Sequence, residues 1–180
     1  MRIYLIRHGR AFHNEGFDKV GPSAYHDIMY LDSRLVDTGH HQTIGKAWDI
    51  NVQRVYCSPL FRCIQTARNM FGSSRRLYLE DGLIETKGPQ PCNLRLGVNE
   101  LGIRFNNITT AGVSAIDPVP QDKVETTDTL KTRADACFKS ICEDAQRAGL
   151  TSIAIVTHHD WLHALTYKSF KNAEIVEIDQ

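Results

Sequence analysis

Three short stretches of this 180-residue chain carry side chains that could do chemistry together. The first is Arg7-His8-Gly9, at the exit of the apolar run Ile3, Tyr4, Leu5 and Ile6. The second is Arg62, within YCSPLFRCIQTA, and the third is His158, within IAIVTHHD. Each follows an apolar run of strand type. Open α/β sheets bind ligands at the carboxyl ends of their strands, so three such exits predict one shared site. Two guanidiniums cannot be deprotonated and can fork hydrogen bonds onto a phosphoryl group. Their field holds the His8 imidazole neutral, the form that attacks as a nucleophile.

The elements that must position these side chains follow from periodicity and punctuation. Residues 10–34 show no sustained period and read as a long loop with one helical turn; long ordered loops are often functional. A helix is expected from Thr38 or Gly39 to about Asp49, with Asp37 or Thr38 as its cap. His40 and His41 in its first turn point about 100° apart and have no partner motif, so they read as surface residues. A strand over 52–57 leads into a helix over about 60–71, with Pro59 tolerated in the first turn. That puts Arg62 in the first turn, where free N–H groups and the helix dipole favour an anion. Arg68, farther along, reads as a solvated charge.

A short strand over 77–79 precedes Glu80, Asp81 and Glu85. Residues 86–121 are broken by prolines and glycines and read as a lid or insertion, with a short helix near 96–104. The helix over 127–147 shows a core face of Leu130, Ala134, Cys137, Phe138, Ile141 and Ala145, and Gly149 is a good stop. Residues 152–156 form a continuous apolar run, as expected of a central parallel strand. A helix over about 161–170 and an edge strand over 174–178 complete the order. The expected architecture is a three-layer α/β/α sandwich with a mostly parallel sheet, in one domain spanning 1–180.

Composition narrows the classes. Apolar residues make up 42% and charged residues 23%, with zero formal net charge, so no overall field draws the chain to nucleic acid or a membrane surface. Any anion site must be a local concentration of positive charge. No apolar run approaches membrane-spanning length. The five cysteines form no C-x-x-C pair and no secretory signal precedes them. A reduced cytoplasmic setting is expected, with a nuclear share left open. Cys57 and Cys63 read as small buried hydrophobes.

Taken together, the three stretches resemble the histidine phosphatase superfamily in its phosphoglycerate-mutase-like branch. The residues that carry the resemblance are Arg7-His8-Gly9 with Asn14, then Ser58-Pro59-Leu60, Arg62 and Gln65-Thr66-Ala67, and last Thr157-His158. The resemblance implies a phosphoglycerate-mutase-like fold and a phosphohistidine formed on His8. It implies that Arg7, Arg62 and His158 stabilise charge on the phosphoryl oxygens and that Asn14 offers its amide to them. Glu85 matches the general acid, with Glu80 and Asp81 open as competitors. No cofactor and no metal are implied, and the substrate is a phosphorylated small molecule or phosphoprotein.

Two departures from the pattern matter. A small residue commonly follows the second histidine, whereas here it is His159; another branch reads His-Asp, which His159-Asp160 imitates. Adjacent strand residues face opposite sides, so one of the two histidines meets the phosphate. Counting from Thr157 selects His158; the other choice would let Asp160 displace Glu85 as the acid. Mutases of the family usually carry a longer chain and a glycine-containing tyrosine motif after the acid, where this chain has Thr86-Lys87-Gly88-Pro89. A phosphatase is therefore expected, with a mutase or a non-catalytic phosphate-binding module as alternatives. Lys87, Arg95 and Arg104 either form a second anionic subsite or are solvated charges.

Overall fold

The apolar run after Met1 becomes strand β1 (Arg2–Arg7) in the computed structural model of the chain, which describes residues 1–117 and 123–180. In chain order there follow α1 (Phe12–Val20), α2 (Asp37–Thr43), β2 (Arg54–Cys57), α3 (Phe61–Phe71), β3 (Leu77–Glu80), α4 (Val98–Arg104), β4 (Ile108–Gly112), α5 (Thr127–Arg147), β5 (Ser152–Thr157), α6 (His159–Thr166) and β6 (Ile175–Asp179). The strands lie in the order β4-β3-β2-β5-β1-β6. The pairs β1–β5, β2–β5, β2–β3 and β3–β4 are parallel, and β6 closes the edge antiparallel to β1.

Side-chain alternation divides the interior into two cores. Tyr4, Ile6, Val55 and Val156 pack with Ile64 and Met70 of α3 and Leu101 of α4. Ile3, Leu5, Ile153 and Ile155 pack on the other face with Leu130 and Ile141 of α5 and Trp161 of α6. Helices thus cover both faces of a mostly parallel sheet, the expected three-layer arrangement. Every residue of β5 is buried, as a strand between two parallel neighbours requires. Gly149, at φ +66°, ends the turn beyond α5 in the left-handed region.

Five expectations need correction. The stretch 10–34 holds a nine-residue helix, α1, followed by two short 3₁₀ segments. Only His13 and Gly16 of α1 are buried, so it shows no apolar period. α2 stops at Thr43, and Ile44 and Trp48 beyond it are exposed. Pro59 lies outside α3, one residue before the Leu60 cap. The expected lid contributes α4 and then β4, which extends the sheet beside β3; its far end, 118–121, lies outside the described residues. α6 is also shorter than expected and begins two residues earlier, at His159.

Gly39 shows why α2 sits where it does. A Cβ there would lie 1.9 Å from the Arg10 carbonyl oxygen, so only glycine lets α2 press against the loop leaving β1.

Candidate active site

The carboxyl ends of β1, β2, β3 and β5 converge on one cavity of about 350 Å³, lined by Arg7, His8, Asn14, Arg62 and Glu85 among others. His8 follows β1 directly and is almost wholly buried. Its Nδ1 lies 2.7 Å from the Gly9 carbonyl, which can only accept, so Nδ1 carries the proton. Nε2 therefore keeps its lone pair and accepts from Arg62 Nε–H at 3.2 Å. Burial holds the His8 pKa well below its ordinary value, and Arg62, His13 and Arg7 add to the effect.

Arg62 is placed by the first turn of α3. That turn has no cap of its own; Asp32 Oδ1 accepts the Phe61 N–H from 2.8 Å away. Burial beside these groups pushes the Asp32 carboxyl up to about 7. Arg62 also donates to the Cys92 carbonyl at 2.6 Å and to Asn93 Oδ1 at 3.0 Å, which ties residues 92–93 to the site. One turn on, Thr66 Oγ1 accepts the Gly9 N–H at 2.9 Å and donates to the Arg62 carbonyl at 2.7 Å. Arg7 donates to the Phe170 carbonyl at 2.6 Å and faces the cavity with the rest of its guanidinium.

Glu85 comes from the loop after β3, whose carbonyls are all held. Arg133 of α5 donates to those of Gly82, Ile84 and Glu85 at 2.9, 2.8 and 3.1 Å, and Thr157 donates to that of Leu83 at 2.7 Å. Arg133 in turn pairs with Glu125 at 2.9 and 2.6 Å. Glu85 Oε1 accepts the N–H groups of Thr86, Asp160 and Trp161 at 3.2, 3.1 and 3.3 Å, two of them at the start of α6. Burial, then the neighbouring Asp160 carboxylate, raise Glu85 to about 7, against the lowering effect of Arg62 and these N–H groups. A carboxyl near 7 can exist as acid and as base at neutral pH. Among the competitors, Asp81 is taken up by Arg95 at 2.9 Å and the Ser114 N–H at 2.8 Å, and neither it nor Glu80 lines the cavity.

His158, the remaining expected phosphate ligand, has surroundings of its own. It caps α6 with extended backbone and is fully buried. Its Nε2 faces Ser58 Oγ at 2.8 Å and the Cys63 thiol at 3.4 Å. Its ring meets that of His8 edge-on, centroids 5.2 Å apart, so it packs directly against His8. His159 and Asp160 line the cavity instead, because the helix begins there and strand alternation no longer applies. Asn14 does reach the wall, but its Oδ1 accepts the Ala11 N–H at 2.9 Å, closing the first turn of α1.

His13 was not singled out by sequence, although it precedes Asn14 in a stretch marked as a functional loop. Because Asn14 Oδ1 is engaged, its Nδ2 must donate to His13 Nε2 at 3.1 Å, leaving the proton on His13 Nδ1. That Nδ1 is buried without a partner, as are Arg7 Nε, Gln90 Oε1 and His159 Nδ1. All four residues line this one cavity. A buried polar atom without a partner costs about 1–3 kcal/mol, so their concentration marks a place built for a polar ligand.

Lys87, Arg95 and Arg104 do not form a second anionic subsite. Arg95 is buried against Asp81, Arg104 pairs with Glu100 at 2.6 Å on the surface of α4, and none of the three lines the cavity.

Comparison with known proteins follows the same lines. The family model described as the histidine phosphatase superfamily (branch 1) matches residues 3–178. A curated phosphoglycerate mutase-like protein of Arabidopsis thaliana is 27% identical over 204 residues, covering 91% of this chain and 72% of that protein. The ecdysone phosphate phosphatase of Bombix mori, solved with tungstate, superposes with a TM-score of 0.71 at 15% identity, covering 99% of this chain and 89% of that one. Phosphoglycerate mutase from Bacillus anthracis gives 0.65 at 20% identity, covering 98% and 86%.

Proposed function

This chain belongs to the histidine phosphatase superfamily, and from that premise we propose that it hydrolyses phosphomonoesters through a phosphohistidine on His8. The observation that carries this conclusion is the lone pair on His8 Nε2, fixed by the Nδ1–H bond to Gly9 and set beside Arg62. Nε2 attacks phosphorus in line as the ester P–O bond breaks. Arg62 and Arg7 take the charge on the phosphoryl oxygens. Glu85, protonated, gives its proton to the departing oxygen. As carboxylate it then takes a proton from water, the hydroxide attacks phosphorus, and the N–P bond breaks to release phosphate and restore His8. The helix-start N–H groups around Glu85 steady it while it is ionised.

The relatives named above include both a mutase and a phosphatase, and both move a phosphoryl group. Trapping separates this reading from a binding module. Protein mixed with a labelled aryl phosphate and quenched in alkali should carry label on His8. The His8→Ala variant should stay folded by circular dichroism, carry no label and lose turnover. Label on a serine or cysteine, or near-normal turnover in the variant, would sink the mechanism.

A further inference from the structure

In-line displacement dictates which way a substrate points. The departing oxygen must lie opposite His8 Nε2, at the carboxyl of Glu85, and the body attached to it must run past that carboxyl's neighbours. Those neighbours are Thr86 and Asp160, whose N–H groups Glu85 accepts and whose side chains join through Thr86 Oγ1 to Asp160 Oδ2 at 3.0 Å. Beyond this bond lies a second cavity of about 300 Å³, which shares Thr86 and Asp160 as wall and adds Glu125, Leu130 and His163. The path leading away from the phosphate is therefore bordered by the Asp160 carboxylate, with Glu125, itself held by Arg133, farther along.

Among the described residues, no lysine lines either cavity. Among the described residues lining either cavity, the guanidiniums are those of Arg7 and Arg62, and both are committed to the phosphoryl group. The uncommitted polar atoms of the outer wall, His13 Nδ1, Gln90 Oε1 and His159 Nδ1, belong to neutral groups or to imidazoles that burial keeps below their ordinary pKa. These can hold hydroxyls and amines. An anion on the substrate body would lose its hydration beside Asp160 with no cation to replace it.

We propose that the substrates carry phosphate as their sole anionic group, on an uncharged or cationic polar body, and that Asp160 rejects a second anion. The inference rests on His8 as nucleophile and Glu85 as acid. It is discrimination by repulsion, the means by which a site excludes near neighbours of its substrate.

Two matched pairs test it, each differing by one carboxylate: glycerol 3-phosphate against 3-phosphoglycerate, and phosphoethanolamine against phosphoserine. The carboxylate-free member should lead in kcat/KM by about tenfold or more, the scale of one close like-charge contact in a partly screened site. Asp160→Asn keeps an oxygen for Thr86 and should bring both ratios toward one. Within a pair the leaving oxygen is alike, so any change in the acidity of Glu85 cancels from the ratio. Should the esters turn over too slowly, their competition against an aryl phosphate gives the same ranking. Equal or inverted ranking, or ratios untouched by Asp160→Asn, overturns the inference while aryl phosphate turnover leaves the phosphatase standing. No turnover of aryl phosphate overturns both.

Discussion

The Nε–H of Arg62 points at Nε2 of His8 across 3.2 Å, so the cation proposed to receive the phosphoryl group rests on the nitrogen proposed to attack it. One contact thus serves two ends. It keeps the imidazole neutral, and it marks where phosphorus must enter.

Replacing Arg62 by Gln should lower kcat/KM for an aryl phosphate by about 10²–10³-fold, the usual cost of losing one charge-stabilising donor. The acidic limb of the pH profile should also move up. His8 acts as the neutral form, and after burial Arg62 is the largest influence holding its pKa down. Arg62→Lys keeps the charge and should leave that limb in place while still losing rate. An unmoved limb in Arg62→Gln would show that Arg62 does not tune His8.

Glu85 sets the opposite limb. Its acid form donates, and its pKa is pushed up to about 7, so hydrolysis of an alkyl phosphate should decline as pH rises through that region. Glu85→Gln should cost about 10²–10⁴-fold with an alkyl phosphate and far less with an activated aryl phosphate, whose oxygen departs unprotonated. If Asp160→Asn shows that leaving-group dependence and Glu85→Gln does not, the acid is misassigned.

Arg133 should prove to be a positioning residue. Arg133→Met frees three carbonyls of the acid-bearing loop and strips Glu125 of its partner. A loss of about 3 kcal/mol in urea unfolding is expected, as for other buried pairs broken on one side. The double variant with Glu125→Gln should regain part of that stability but not kcat, because the loop stays unclamped. Recovery of both together would reduce Arg133 to a purely structural role.

Turnover should survive exhaustive chelation, since Arg7 and Arg62 supply the positive charge and Glu85 the proton. Loss of activity in chelator, restored by one divalent metal, would refute this.

What sequence made legible was whatever repeated or ran continuously. The core face of α5 recurs over 21 residues, and β5 is six apolar or small residues in a row. α1 stayed hidden because its start is capped from inside by Asn14 and its buried face consists of a histidine and a glycine. β4 stayed hidden because an edge strand reading ITTAG, half-buried at best, has no hydrophobic alternation to show. Arg7, His8 and Arg62 were readable as positions at strand exits, whereas Glu85 came only with the family resemblance, beside Glu80 and Asp81. The choice between His158 and His159 was not, because it turns on where α6 begins, and the start of a helix next to a strand leaves no periodic trace. The Thr86–Asp160 contact joins residues 74 apart and could be found only in the fold.

The place of β5 between β1 and β2 governs how the protein comes into being. A chain emerging from the ribosome completes its first two strands long before the one that must slot between them. At 5–20 residues per second, Cys57 waits roughly 5–20 seconds for Ser152. Through that interval His8 and Arg62 already exist but no shared strand yet draws them together, and two strands stand with open edges that invite other chains. The site therefore assembles late and all at once, when Ser152–Thr157 threads the gap between β1 and β2.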